Sequence, residues 1–299
     1  MIPLVAVLLD WVLTALWPLI GASGLRYYSG LPFMCGGLAI GLLAMAPWLI
    51  ARGRWKRMLA RDAAPSLIAM GFFSGSATVL YISALRFTTP VNAVILAQVE
   101  VLYSTVLSAR YLNERPTLKQ SLASLLVIAG TGLIVLRDLH SPRWRGDLMI
   151  LATPWMYQVS HIFSKKLPAD LDALVLSGGR AAYGLLTMAP LCAWALWRGA
   201  AWSWEPQALR LLLLQGLLMS SVNFVLWYVA IRGMDLSKAT TILLSYPALT
   251  LAFSCALGRE AIHAVQIAGL ACTLAGALWT AQLSLARGGD GAVESPVPL

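Results

Sequence analysis

The chain has 299 residues, 59% of them hydrophobic and only 12% charged, with a mean hydropathy of +0.74, against roughly 25% charged residues in a typical soluble domain. A water-soluble fold has no use for that much apolar surface, and length here counts membrane crossings instead of soluble domains. The net charge of +9 does not point to nucleic acid, because the basic residues sit in connectors between apolar runs and form no basic face interleaved with exposed aromatics.

At about 20 apolar residues per crossing, ten transmembrane helices are predicted over 3–24, 31–51, 65–86, 90–110, 118–137, 147–165, 173–197, 207–231, 238–257 and 264–285. The opening run lacks a positive n-region and is too long for a signal peptide, so it is expected to stay as the first helix. Pro32, Pro65, Pro90 and Pro206 stand near helix starts, where a missing N–H costs nothing. Pro18, Pro47, Pro154, Pro190 and Pro247 fall inside spans and are candidate kinks. With the amino terminus inside, the cytoplasmic side holds 13 of the 22 lysines and arginines and the outside 8, Arg180 lying within a span; this bias places both termini in the cytoplasm. Cys35, Cys192, Cys255 and Cys272 lie inside apolar runs without CxxC spacing, so neither a disulfide nor a metal site is expected.

Shifting the chain by 146 residues reveals an internal repeat. Ala84 pairs with Ala230, Arg86 with Arg232, Ala93 with Ala239, Ser108 with Ser254, Glu114 with Glu260, Gln120 with Gln266, Ala129 with Ala275 and Gly130 with Gly276. Five spans per copy is an odd number, so the second copy must cross the membrane in the opposite sense. The predicted fold class is therefore an all-α integral membrane protein of two inverted five-helix repeats, 1–138 and 146–286, followed by a flexible cytoplasmic tail, 287–299. In such carriers the substrate site lies near the midplane, between the halves.

These residues resemble the drug/metabolite transporter superfamily, specifically its ten-helix EamA-type exporters. The first copy carries Ala84-Leu85-Arg86, Ala93, Leu112, Glu114-Arg115-Pro116 and Ala129-Gly130; the second carries Ala230, Arg232, Ala239, Glu260 and Ala275-Gly276. Trp17 in the first span and Trp155 in the sixth resemble the tryptophans that open each repeat. One departure is in helix four, where many members have a Glu-Pro or aromatic-Pro pair: here Glu100 precedes Val101, while the second half retains Tyr246-Pro247. The resemblance implies export of amino acids or related metabolites across a bacterial inner membrane, the aromatic amino acid exporters being nearest in appearance.

The candidate substrate-binding residues are Trp17, Glu100, Trp155, Gln158, His161, Asn223, Trp227, Ser245 and Tyr246. Glu100 lies at mid-depth of a span, where a charge costs at least a few kcal/mol unless protonated, paired or wet. It is either an ammonium-binding or proton-carrying acid, or a structural carboxylate bonded to a neighbouring helix. Ala93, Ala97, Ser104 and Ser108 share its face. Gln158, His161 and Lys165 fall on one face of span six; His161 is either a proton relay or a hydrogen-bonded packing residue, and Lys165 snorkels to the interface. Asn223, Trp227, Tyr228, Ser245 and Tyr246 pair apolar faces with hydrogen-bonding tips, as a pocket for a flat zwitterion requires. Helix packing and interfacial belts account for most tryptophans, including Trp48, Trp55, Trp144, Trp194, Trp197, Trp202 and Trp204. Gly37 with Gly41 and Gly71 with Gly75 have the GxxxG spacing of close helix contacts. Glu114 and Glu260 follow helix ends and are read as caps or ion-pair partners. Arg180 is read as snorkelling or pairing with Asp172, and Asp10 has no assigned role.

No phosphate-binding loop, H-E-x-x-H zinc motif or G-x-S-x-G nucleophile turn occurs, so no ATP-driven or enzymatic reaction is expected and no cofactor is called for. The sequence favours a secondary transporter working by alternating access on a small-molecule substrate within the lipid bilayer. The alternatives are an intramembrane enzyme acting on a lipid or isoprenoid and an exporter of drug-like or other metabolites; a channel is a further possibility, without a filter-like loop to support it.

Overall fold

Apolar runs with few charges leave the backbone no hydrogen-bond partners but its own, and helix is the result. The computed structural model describes residues 1–88, 90–112, 117–135, 144–257 and 264–290, and these are helical with no strand among them. In chain order the elements are α1 (Ile2–Gly24), α2 (Gly30–Ala51), the single turn α3 (Trp55–Met58), α4 (Ala64–Ala84), α5 (Pro90–Leu96), α6 (Glu100–Tyr111), α7 (Leu118–Val135), α8 (Trp144–Leu151), α9 (Pro154–Lys166), α10 (Ala173–Trp197), α11 (Pro206–Leu214), α12 (Asn223–Gly233), α13 (Leu236–Leu243), α14 (Tyr246–Ala256) and α15 (Ala264–Asp290). Among the described residues, five helical stretches are long and apolar enough to cross a membrane: Ile2–Gly24, Gly30–Ala51, Ala64–Ala84, Pro206–Gly233 and Leu236–Ala256. The 25-residue α10 has the length of a crossing but carries Arg180 among small residues, which dilutes its apolarity.

Four discontinuities interrupt these helices. Pro154 and Pro247 each open a new helix, so two of the five interior prolines break their spans, while Pro18, Pro47 and Pro190 remain inside continuous helices. A 3₁₀ turn over Ala97–Val99 separates α5 from α6, and a π segment over Gln215–Val222 separates α11 from α12. No proline marks either of these.

Many large apolar side chains point outward while several polar and charged ones are buried among the core residues, as a lipid-facing bundle allows. Leu43, Ile50, Val106, Leu148, Leu186 and Leu278 are exposed, whereas Asp10, Gln98, Gln158, Ser160, His161, Arg180 and Gln215 are buried. Trp48, Trp55, Trp144, Trp194, Trp197 and Trp204 face outward as an interfacial belt requires. Trp202 departs from that expectation: it packs edge-on to Tyr28 with ring centroids 5.0 Å apart.

Packing is dominated by contacts between the two halves of the chain. α2 packs on α10 and α7 on α15; α4 packs on α10 and α9, while the π segment packs on α2 and α12 on α1; α6 meets α9 and α1 meets α14. Glycines let several of these backbones touch. A Cβ on Gly71 would lie 2.6 Å from the Gly184 nitrogen of α10, and one on Gly41 would lie 3.0 Å from the Gly216 oxygen. At Gly75 it would sit 3.5 Å from the Gly184 Cα, an ordinary contact. Gly71→Val should therefore force α4 off α10, at a cost of about 1–3 kcal/mol or more, and lower the melting temperature of the purified protein. Gly75→Ala should leave it unchanged; equal effects would contradict the packing argument.

Polar contacts tie the connectors at both ends of the bundle. At one end Arg86 Nη2 donates to the Tyr28 carbonyl at 3.0 Å, Ser29 N donates to the Ala201 carbonyl at 2.9 Å, and Thr88 donates to Asp147 at 2.9 Å. At the other, Arg232 donates to the carbonyls of Leu167, Pro168 and Leu171 at 3.0, 2.6 and 3.1 Å. There Lys165 Nζ donates to the Met234 carbonyl at 2.9 Å, so it ties the last turn of α9 to the connector between α12 and α13. Arg57, in α3, donates to Asp170 at 2.8 Å and to Asp62 at 3.1 Å, and hydrogen bonds from its guanidinium hold both carboxyls below their ordinary range. Glu114, Arg115, Pro116, Glu260 and residues 291–299 of the expected tail lie outside the described residues, while 287–290 of that tail continue α15 as helix.

Candidate functional site

Irregular backbone at membrane depth persists only where protein or a water-filled cavity satisfies it, and here all four discontinuities border one cavity. Its wall includes Ala97 of the 3₁₀ turn, Thr153 just before α9, Ser220 of the π segment and Leu244 between α13 and α14. The cavity encloses about 800 Å³ of empty space counted out to its mouth, and both halves of the chain line it.

Helical spacing explains which side chains reach it. On α1, Asp10, Thr14 and Trp17 recur at intervals of four and three and so share a face; on α9, Tyr157 and His161 do the same at an interval of four. Trp17 stacks on Tyr81 of α4 with ring centroids 4.7 Å apart. The Tyr157 hydroxyl donates to Thr78 at 2.9 Å, and Thr14 Oγ1 donates across the halves to Asn223 Oδ1 at 3.4 Å.

Of the residues proposed from sequence, Trp17, Glu100, His161, Asn223, Trp227 and Tyr246 line this cavity together. Gln158 stands just behind it, fully buried, and donates through Nε2 to Glu100 Oε1 at 2.8 Å. The remaining two are elsewhere. Trp155 lies on the outer side of α9, 41% exposed and edge-on to Phe73, while the Ser245 hydroxyl is spent on the Ile242 carbonyl at 2.8 Å. Of the residues on the face of Glu100, Ala93, Ala97 and Ser104 are buried, and the side chain of Ser108 lies outside the described residues.

Trp227 Nε1 donates to His161 Nδ1 at 3.0 Å, which makes that nitrogen an acceptor. A neutral imidazole arranged in this way carries its proton on Nε2. His161 is thus both a hydrogen-bonded packing partner and a donor beside the cavity.

Two charged residues that the sequence left aside also line it. Asp10 is fully buried and neither carboxylate oxygen has a hydrogen-bond partner. Arg180 does not snorkel, being only 2% exposed, and it stands eight residues beyond Asp172, about 12 Å along the helix. Asp172 is otherwise engaged: Oδ1 accepts from Val175 N at 2.9 Å as the N-cap of α10, and Oδ2 meets Arg54 at 3.7 Å. The penalty for intramembrane charge that singled out Glu100 applied to Asp10 and Arg180 as well; that signal was present in the sequence. For Tyr81, Tyr157, Thr78 and Gln215 there was none, since such residues within spans are indistinguishable from packing residues.

The arrangement is a largely apolar cavity with a few convergent ionisable, amide and hydroxyl groups inside a helical bundle that exposes many apolar side chains, an architecture suited to a membrane transporter of small molecules. The chain matches the EamA-like transporter family over residues 1–136 and 144–282, and it belongs to that family. It is similar to an uncharacterized transporter of Archaeoglobus fulgidus, 26% identical over 222 residues that span 71% of this chain and 75% of the relative. A protein crystal structure superposes with a TM-score of 0.74 at 20% identity, covering 95% of this chain and 96% of that one, a likeness of fold alone.

Proposed function

We propose that this chain is a secondary transporter that exports amino acids with aromatic or other neutral side chains across a bacterial inner membrane. It does so by alternating access of two inverted five-helix halves, with ten crossings and both termini cytoplasmic. The observation that carries this reading is the cavity itself, where interrupted helices from both halves bring ionisable groups, aromatic faces and amide or hydroxyl tips around one space.

The inverted repeat draws support from the contacts. If α1 corresponds to α8–α9, α2 to α10, α4 to α11–α12, α5–α6 to α13–α14 and α7 to α15, the most extensive cross-half contacts fall into matching pairs: α4 on α10 with the π segment on α2, and α1 on α12 with α9 on α4. The paired arginines agree with it. Arg86 clamps the connector after α1 and Arg232 the equivalent connector after α9, at opposite ends of the bundle. The lysine and arginine bias assigns the Arg57 and Arg232 end to the cytoplasm.

In this reading Trp17, Trp227 and Tyr246 form the aromatic walls, Asn223 fixes a polar end, and Glu100, steadied by Gln158, receives the ammonium. The test is efflux of labelled phenylalanine, tryptophan and leucine from proteoliposomes holding the purified chain. Phenylalanine and tryptophan should leave at least about tenfold faster than from empty liposomes, and Tyr246→Ala and Asn223→Ala should remove most of that gain. Trp155→Ala, outside the cavity, should leave it intact. Absence of efflux for every amino acid, or full activity in both cavity variants, would overturn the assignment.

A further inference from the structure

Arg180 is the charged residue least explained by packing. It is 2% exposed in the middle of the bundle, yet no carboxylate among the described residues lies within the 4.0 Å of an ion pair. Its partners are neutral: Nη1 donates to Ser74 Oγ at 3.2 Å, Cζ stands 3.1 Å from the Phe224 ring centroid, and Nε has no acceptor. A guanidinium withdrawn from water and left without an anion is costly, and a ring face offsets only part of that cost. The same cavity contains Asp10, whose two oxygens are also unpartnered. Opposite charges lining one low-dielectric space would gain much by meeting. The fold keeps them apart, each held by its own helix.

We infer that Arg180 is the anion-binding residue of the cavity and takes the carboxylate of an amphoteric substrate, with Phe224 supporting the guanidinium face and Ser74 one edge. A carboxylate suits it because the planar fork presents parallel N–H groups to two oxygens. The single negative charge matches one guanidinium, whereas a phosphate dianion would add excess charge to a space already lined by Asp10 and Glu100. This rests on the transport reading above and assigns its substrate a second charged anchor, opposite in sign to the ammonium site.

Calorimetric titration of the purified full-length protein with L-phenylalanine, L-phenylalaninamide and 3-phenylpropionate tests it. The amide keeps the size and the amine but removes the negative charge. Wild type should bind phenylalanine about 100-fold more tightly than its amide. In Arg180→Gln that ratio should fall close to one with amide affinity retained, which also reports an intact fold, and Arg180→Lys should recover part of it. A wild-type protein that binds acid and amide equally overturns the inference without any variant, as does a ratio that survives in Arg180→Gln. If phenylalanine does not bind but 3-phenylpropionate does, and loses affinity in Arg180→Gln, the amino acid reading fails while the role of Arg180 stands. Binding of neither carboxylate would overturn both.

Discussion

Glu100→Gln should weaken binding of every amino acid by about 30-fold or more, the cost of removing one partner from the proposed desolvated ion pair, while the protein stays folded. The structure makes this substitution informative. Gln158 Nε2 donates to Glu100 Oε1 at 2.8 Å, and the side-chain carbonyl of a glutamine can accept the same bond. A purely structural acid would therefore be replaced at little cost, whereas the loss of charge removes the attraction for a substrate ammonium. Titration of the variant beside wild type, with transport followed across a range of pH, separates the possible roles. Retained binding and exchange with loss only of proton-driven accumulation would make Glu100 a proton carrier instead of a substrate ligand. Unchanged affinity together with unchanged pH dependence would remove it from the mechanism.

How much of this site was legible in the sequence depended on whether the controlling physics is local. The apolar runs and the penalty for intramembrane charge act within one helix, so the all-helical membrane class and Glu100 followed from composition and position. The breaks at Pro154 and Pro247 were foreseeable as candidates because the missing N–H is written in the residue, although the same residue at Pro18, Pro47 and Pro190 stays inside continuous helices. The 3₁₀ turn before Glu100 and the π segment before Asn223 were not, since no residue type marks them and packing of the halves sets them. Trp17 and Trp155 illustrate the same limit. They were paired as equivalent openers of the two repeats, but only Trp17 reaches the cavity, because the azimuth of a side chain matters only relative to its neighbours. For Arg180 the sequence offers only snorkelling or the nearby Asp172, whereas Asp172 caps the helix and the guanidinium meets Ser74 from α4, 106 residues away.

Asp10 gives the final prediction, in which stability and activity move in opposite directions. A fully buried carboxyl group with neither oxygen hydrogen-bonded carries its desolvation cost uncompensated, about 1–3 kcal/mol for a single polar group. Leucine has nearly the same branched shape, with two methyl groups where aspartate has two oxygens, so Asp10→Leu removes the cost without leaving a hole on the face shared with Thr14 and Trp17. The variant should melt at a higher temperature than wild type in the same detergent. It should also transport at least about tenfold more slowly, because an acid buried without a partner beside the proposed substrate cavity is poised to bind a proton or a cationic group. Whether that is to receive a proton or to hold the substrate amine, the charge is lost with the oxygens. A lower melting temperature would mean that Asp10 is paired within the fold after all. A more stable variant with full transport would make the acid a passive feature of α1, and would leave Glu100 as the acid on which recognition of a positive charge depends.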